Sequence, residues 1–328
     1  MDSTKKRVKR NKQKISWLSE HPWMGIIILL FLYILFILLP GLIYAFFVNP
    51  TFYSTHLYVA HLIDFFGVAI LFIIIVPFVL GLPNGREFVG YTQSIRIVNF
   101  KPVFRTIVLG LITAIIILSC MLLATYLTTL TSPTGQVIFD PSLLIDPTTI
   151  NIYTALRPGI WEEVAFRGII LVLLLKLYSK RTSIILNGIL FGGFHLTNIL
   201  AALLSALFFE TEFNNETIFQ ILFQVIYTTF LGIFLAYLFI KSNSLIPCII
   251  VHYLVDAFST LVGFAVNVNI WLFLTIMTII GIGILPAKIN ILLVRFSCYT
   301  WPQPFDEQVK SFDTFLARKS KKSKMKDK

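Results

Sequence analysis

Three short strings place acids, bases and histidines inside stretches that are otherwise apolar. They read Trp161-Glu162-Glu163-Val164-Ala165-Phe166-Arg167-Gly168, then Gly188 through Phe191-Gly192-Gly193-Phe194-His195, and His252-Tyr253-Leu254-Val255-Asp256. An ionisable group at the centre of a bilayer costs about 2.5–3.5 kcal/mol on insertion scales, so each of these is a functional candidate by default. Glu163 and Arg167 are four apart with the acid first, the favoured orientation for a helical ion pair, whereas Glu162 has no such local partner. His252 and Asp256 share that spacing, which lets the carboxylate accept from the imidazole and fix its tautomer. Gly188 and Gly192 have small-xxx-small spacing, so a neighbouring helix can approach closely where His195 projects, and Phe191 walls that ring one turn earlier. Two histidines and three carboxylates in one layer are equipped to move protons and to stabilise developing negative charge.

Positioning these groups falls to membrane helices. The 328-residue chain is 57% hydrophobic, 15% aromatic and 13% charged, with mean hydropathy +0.84; soluble domains carry about 25% charged residues. Apolar windows fall near 23–47, 57–82, 103–130, 154–176, 183–209, 217–240, 244–266 and 270–294, which predicts an all-α polytopic transmembrane bundle of about eight spans with a polar intramembrane catalytic cavity. The run from Trp23 is too long for a signal peptide and reads as a retained first span. At about 1.5 Å per residue, Glu162 lies about 21 Å from Lys176, His195 about 18 Å from Ser183 and Asp256 about 18 Å from Ser244, so a common layer is within reach.

Basic residues orient the bundle. Lys5 to Lys14, then Arg86, Arg96, Lys101 and Arg105, then Lys176, Lys180 and Arg181, then Lys241, then Lys288, Arg295 and the tail to Lys328 fall on one side; the opposite loops near 48–56, 131–153, 210–216 and 266–269 hold no Lys or Arg. Both termini are therefore expected in the cytoplasm of a cell-membrane protein, with Arg157 and Arg167 as exceptions to the pattern. The expected organisation is a basic N-terminal tail 1–22, N-terminal spans 23–150, a core 151–266, a last span 267–296 and a basic tail 297–328. The net charge of +11 sits mostly in the tails, which points to anionic lipid rather than nucleic acid. Cys120, Cys248 and Cys298 lack metal or disulfide spacing. Asp140, Asp146, Glu210, Glu212 and Glu216 read as a solvated outer face. His61 and Asp64 read as an interfacial polar contact, Gln220 and Gln224 as interhelical hydrogen-bonders, His21 and His56 as solvated, and Trp17, Trp23 and Trp301 as interface anchors.

The three strings, in order and each within an apolar span, resemble the signatures of the CPBP family of intramembrane proteases, which includes type II CAAX prenyl endopeptidases and Abi bacteriocin-immunity proteins. Those signatures are EExxxR, FxxxH and HxxxN or HxxxD; here they are Glu162-Glu163-x-x-x-Arg167, Phe191-x-x-x-His195 and His252-x-x-x-Asp256. The resemblance covers about residues 155–260. It implies peptide-bond hydrolysis with Glu162 and His195 activating water, His252 and Asp256 stabilising the oxyanion, and Glu163, Arg167 and Phe191 structural or substrate-orienting. An ionised Asp256 cannot donate to an oxyanion, so either it is protonated or it orients a charged His252. No cofactor is expected. A divalent metal such as zinc, if one is used, would sit between Glu162, His195 and His252; there is no HExxH string.

The expected function is thus an intramembrane endopeptidase acting on a membrane-associated protein or peptide. Richness in Ile, Phe, Asn and Lys reads as a bacterial plasma-membrane protein, which favours a peptide pheromone, bacteriocin or membrane-protein tail over a prenylated substrate. Two other classes stand beside it: a catalytically silent scaffold that gives bacteriocin immunity or modulates signalling partners, and a proton-coupled transporter, against which the lack of a repeat between halves counts.

Overall fold

The computed structural model describes residues 21–47, 57–76, 95–96, 103–131, 136–139, 151–209, 212–259, 262–265 and 269–298. The tails, with Trp17, Trp301 and the lysines expected to meet anionic lipid, lie outside these residues, as do His56, Asp140, Asp146 and Glu210.

In chain order the helices are α1 (Pro22–Phe47), α2 (Leu57–Ile70, continued by a π-helical turn Leu71–Ile75), α3 (Val103–Thr129) and the short α4 (Asn151–Thr154). A π-helical run follows, Pro158–Glu162 and Val164–Ile170, passing into α5 (Leu171–Leu174). Then come α6 (Lys180–Phe194), α7 (Thr197–Phe209), α8 (Asn215–Ser242), α9 (Ile246–Ser259), α10 (Ile270–Ile276, continued by a π turn Met277–Gly281) and α11 (Ile284–Ser297). Among the described residues five segments are long and apolar enough to cross a membrane: Pro22–Leu39, Val103–Thr129, Lys180–Phe208, Asn215–Ser242 and Ile270–Ser297; His61–Ile75 and Ile246–Ser259 are shorter apolar helices. By length and composition this is a multi-pass helical membrane protein. Its outer surface agrees, since Phe31, Phe104, Leu207 and Phe296 are all more than 60% exposed, a distribution suited to acyl chains and not to water.

The starts of the helices follow from local chemistry. Ser179 Oγ accepts from the Thr182 N–H, Asn214 Oδ1 from Thr217, and Asn269 Oδ1 from Trp271 and Leu272, so α6, α8 and α10 each open on a side-chain cap. Helix α8 closes at Asn243 in the left-handed region at φ 51°. There Arg96, itself at φ 61°, donates to Asn243 Oδ1, while the Leu245 N–H donates to the Arg96 carbonyl at 3.3 Å. Burial brings the Arg96 guanidinium down to about 10. This contact ties the segment before α3 to the α8–α9 turn.

Three windows depart from a plain α-helix. The window 183–209, expected as one span, is one apolar segment with a tight turn inside it: His195 caps the end of α6, and i→i+3 bonds from His195, Leu196, Asn198 and Ile199 tighten the chain before and into α7. The window 244–266 does not stay helical. Helix α9 stops at Ser259, and strand β2 (Val262–Ala265) pairs antiparallel with β1 (Gln136–Phe139), Gln136 opposite Ala265 and Phe139 opposite Val262. A two-stranded ribbon satisfies backbone groups that a broken helix end would leave bare. The window 154–176 is wound as π-helix on both sides of Glu163, through Glu162 and Arg167, a winding frequent at functional sites.

Close packing sets the interior. A Cβ at Gly192 would collide with Thr229 Oγ1 and the Val225 carbonyl, and one at Gly232 would lie 3.0 Å from Gly188 Cα, so α6 and α8 meet backbone to backbone as their small residues predict. A Cβ at Gly159 would stand 2.8 Å from Tyr253 Cα, which seats the π-helical run directly on α9 beside His252. Helix α9 packs on its other side against α3.

Candidate active site

Glu163, Arg167 and His252 are buried where the π-helical run meets α9. Arg167 Nη1 donates to Glu163 Oε1 at 2.8 Å, the expected i,i+4 pair. The same oxygen accepts from His252 Nδ1, also at 2.8 Å. The tautomer of His252 is therefore set by Glu163, from another segment, and not by Asp256 as its spacing implies. Asp256 Oδ2 lies instead 3.4 Å from Nε2 of the same ring, with Glu162 Oε2 at 3.9 Å from that nitrogen. Three carboxylates thus surround one imidazole. Both distances to Nε2 exceed the ordinary range of a nitrogen–oxygen hydrogen bond, about 2.7–3.2 Å, so this nitrogen remains available to a further acceptor.

His195 sits on the tight turn after α6, and its Nδ1 is 2.9 Å from the Phe191 carbonyl oxygen. A carbonyl only accepts, so Nδ1 carries the hydrogen, and in the neutral ring Nε2 is the basic nitrogen. No hydrogen bond or ion pair joins His195 to Glu162 among the described residues.

Phe191 is the partition between the two imidazoles. His195 meets its ring edge-to-face at 5.0 Å and His252 at 5.7 Å, while the Arg167 guanidinium lies over the ring at 4.2 Å from its centre. Arg167 is completed by Nη2 donating to the Gly232 carbonyl at 3.3 Å, so the cation has an acid, a carbonyl and an aromatic face. That is how a guanidinium persists with no solvent contact.

Asn187, on α6 one turn before Phe191, escaped the sequence reading. Its Nδ2 donates to the Phe166 carbonyl at 2.8 Å, pinning the π-helical run to α6. The signal was present: a buried amide in an apolar window. Outside the cluster, Asp64 pairs with Arg157 at 3.8 Å, which accounts for one of the two arginines that break the charge pattern, and Asn198 Nδ2 donates to Gln224 Oε1 at 2.9 Å while Gln220 is exposed. Trp23 Nε1 donates to the Tyr178 hydroxyl at 3.0 Å.

Among the described residues no group of three His, Cys, Asp or Glu side chains is arranged to hold a metal ion. The set named for one is not assembled among the described residues: Nδ1 of each histidine is held by a protein acceptor, which leaves only the two Nε2 atoms, and no hydrogen bond or ion pair joins His195 to Glu162. A cavity of about 300 Å³ lies elsewhere, between α3, the end of α9 and α10, lined by Leu118, Met121, Phe258 and Phe273.

Fold and cluster together define a class, a multi-pass helical membrane protein with a carboxylate, a guanidinium and an imidazole, Glu163, Arg167 and His252, buried between its helices. Residues 145–258, about a third of the chain, match a family model described as type II CAAX prenyl endopeptidase Rce1-like. All three motifs fall within the matched stretch. No curated protein and no solved structure matches the chain.

Proposed function

We propose that this protein is an intramembrane endopeptidase whose substrate is a membrane-associated protein or peptide. The observation that carries the reading is His252, held at Nδ1 by Glu163 and facing Asp256 and Glu162 with Nε2, within a stretch similar to CAAX-type endopeptidases.

In this reading Glu162 is the base. Its carboxylate takes a proton from water as the water oxygen bonds to the scissile carbonyl carbon, and His195, with Nε2 unprotonated, is the second group able to accept one. The carbonyl oxygen becomes an oxyanion and accepts a hydrogen bond from His252 Nε2–H, a donor fixed in place before reaction. Collapse of the tetrahedral intermediate re-forms the carbonyl and breaks the C–N bond as the proton held by Glu162 passes to the leaving nitrogen. In this reading Asp256 faces a charged His252 and does not itself donate. With His252 protonated, two cations face three carboxylates, so Arg167 and the imidazolium offset most of the negative charge of the cluster.

The test is a comparison of membrane-fraction peptides between cells carrying the wild-type chain and cells carrying Glu162→Gln at equal abundance. Fragments present with the wild type and absent with the variant support the reading and identify the substrate. Identical fragment sets overturn it.

A further inference from the structure

The matched stretch begins at residue 145, yet the first helix packs beside the site, against Phe194. Tyr33 lies about 16 Å along α1 from Pro22 at the rise of an α-helix, a depth comparable with that of Glu162. It has no solvent exposure. Its ring stacks on Phe194, next to His195, at 5.2 Å and 12°, and meets Phe72 edge-on at 5.2 Å. Phe72 in turn stacks on Trp161, next to Glu162, at 5.7 Å and 6°. One aromatic stack therefore runs from the residue beside His195, through Tyr33, to the residue beside Glu162.

The polar atoms of this stack are unusual. The Tyr33 hydroxyl and the Glu162 Oε2 atom are both buried, and neither has a hydrogen-bond partner among the described residues. Trp161 Nε1 is in the same condition. Phenylalanine at position 33 would make the same ring contacts without burying a hydroxyl, and buried polar groups in folded proteins are almost always satisfied by protein or ordered water. Glu162, Arg157 and Glu163 are the charged groups close enough to act on this hydroxyl. A hydroxyl donates and accepts, whereas a carboxylate only accepts, so one water can serve both, giving a hydrogen to Glu162 and taking one from Tyr33.

We propose that Tyr33 is a further residue of the active site, its hydroxyl and Glu162 Oε2 holding the attacking water between them. This rests on the reading of Glu162 as the base. The bond from Tyr33 occupies one lone pair of the water and leaves the other to meet the substrate carbonyl.

The experiment uses the full chain in lipid nanodiscs and a fluorescence-quenched peptide carrying a cleavage site found in the membrane comparison above. Tyr33→Phe retains the ring stack; the expected result is a fall in kcat of about 10²-fold, the scale of a misplaced reactant, with KM within twofold and an unchanged unfolding midpoint. A second measurement needs no substrate. With 3-fluorotyrosine at position 33, the fluorine resonance is expected to move when Glu162→Gln is added and to stay in place with Glu212→Gln, an exposed acid far along the chain. Wild-type turnover by Tyr33→Phe while Glu162→Gln is inactive, or a resonance indifferent to Glu162→Gln, overturns the role of Tyr33 alone. Cleavage by Glu162→Gln overturns the base assignment on which it stands.

Discussion

Glu163 and Glu162 are neighbours with different burdens. Glu163 Oε1 accepts at 2.8 Å from both Arg167 and His252, so its charge neutralises a guanidinium with no solvent contact and orients a ring in another helix. Removing one partner of a buried ion pair leaves the other charge uncompensated, which costs about 3–5 kcal/mol, a large part of the stability of a typical domain. Glu163→Gln is therefore expected to lower the thermal midpoint markedly. Glu162→Gln is expected to leave it near the wild-type value, since Glu162 Oε2 has no hydrogen bond to lose. Unfolding of the two purified variants side by side checks this; equal midpoints would mean that the Arg167 contact does not hold the site together. The Glu163–Arg167 pair was legible from its four-residue spacing. The bond from His252 to Glu163 was not, because residues 163 and 252 are brought together only by the seating of Gly159 on Tyr253.

At the scale of elements, the site depends on how closely α6 and α8 approach. Gly192 and Gly193 make a controlled pair: a methyl group at Gly192 meets Thr229 and the Val225 carbonyl, whereas nothing lies within 4 Å of one at Gly193. Gly192→Ala is expected to part the helices near His195, reducing cleavage and the yield of folded protein, and Gly193→Ala is expected to keep both near wild type. Fluorescence-detected size exclusion of the solubilised variants, followed by the peptide assay, measures the contrast, and equal behaviour would refute the packing argument. The glycine spacing announced this contact in advance. The π winding from Pro158 to Ile170 and the break at His195 were hidden, since hydropathy windows register apolar content and not the pitch of the chain. Asn187, holding the Phe166 carbonyl, shows how a neighbouring helix helps sustain that winding.

For the whole molecule, the charge pattern predicts cytoplasmic termini and an outer loop around residues 131–153. Because Cys120, Cys248 and Cys298 are buried, single cysteines at Ser3, Ser132 and Ser323 can be read against a low background. A membrane-impermeant maleimide is expected to label Ser132→Cys in intact cells, and Ser3→Cys and Ser323→Cys only after permeabilisation; the reverse pattern would invert the bundle. The sequence by itself determined that the chain crosses a membrane several times, which windows are apolar, and which six side chains, Glu162, Glu163, Arg167, His195, His252 and Asp256, do not belong in lipid. These follow from composition and from spacing within single helices, where neighbours are fixed by the helical repeat. Only the tertiary structure decided that Glu163 and not Asp256 holds Nδ1 of His252, that Phe191 divides the two imidazoles, and that Tyr33 from the first helix stacks on Phe194 beside them. Contacts between helices depend on the rotation and depth of each, which arise from glycine contacts and π turns summed over the bundle, and no local pattern encodes that sum.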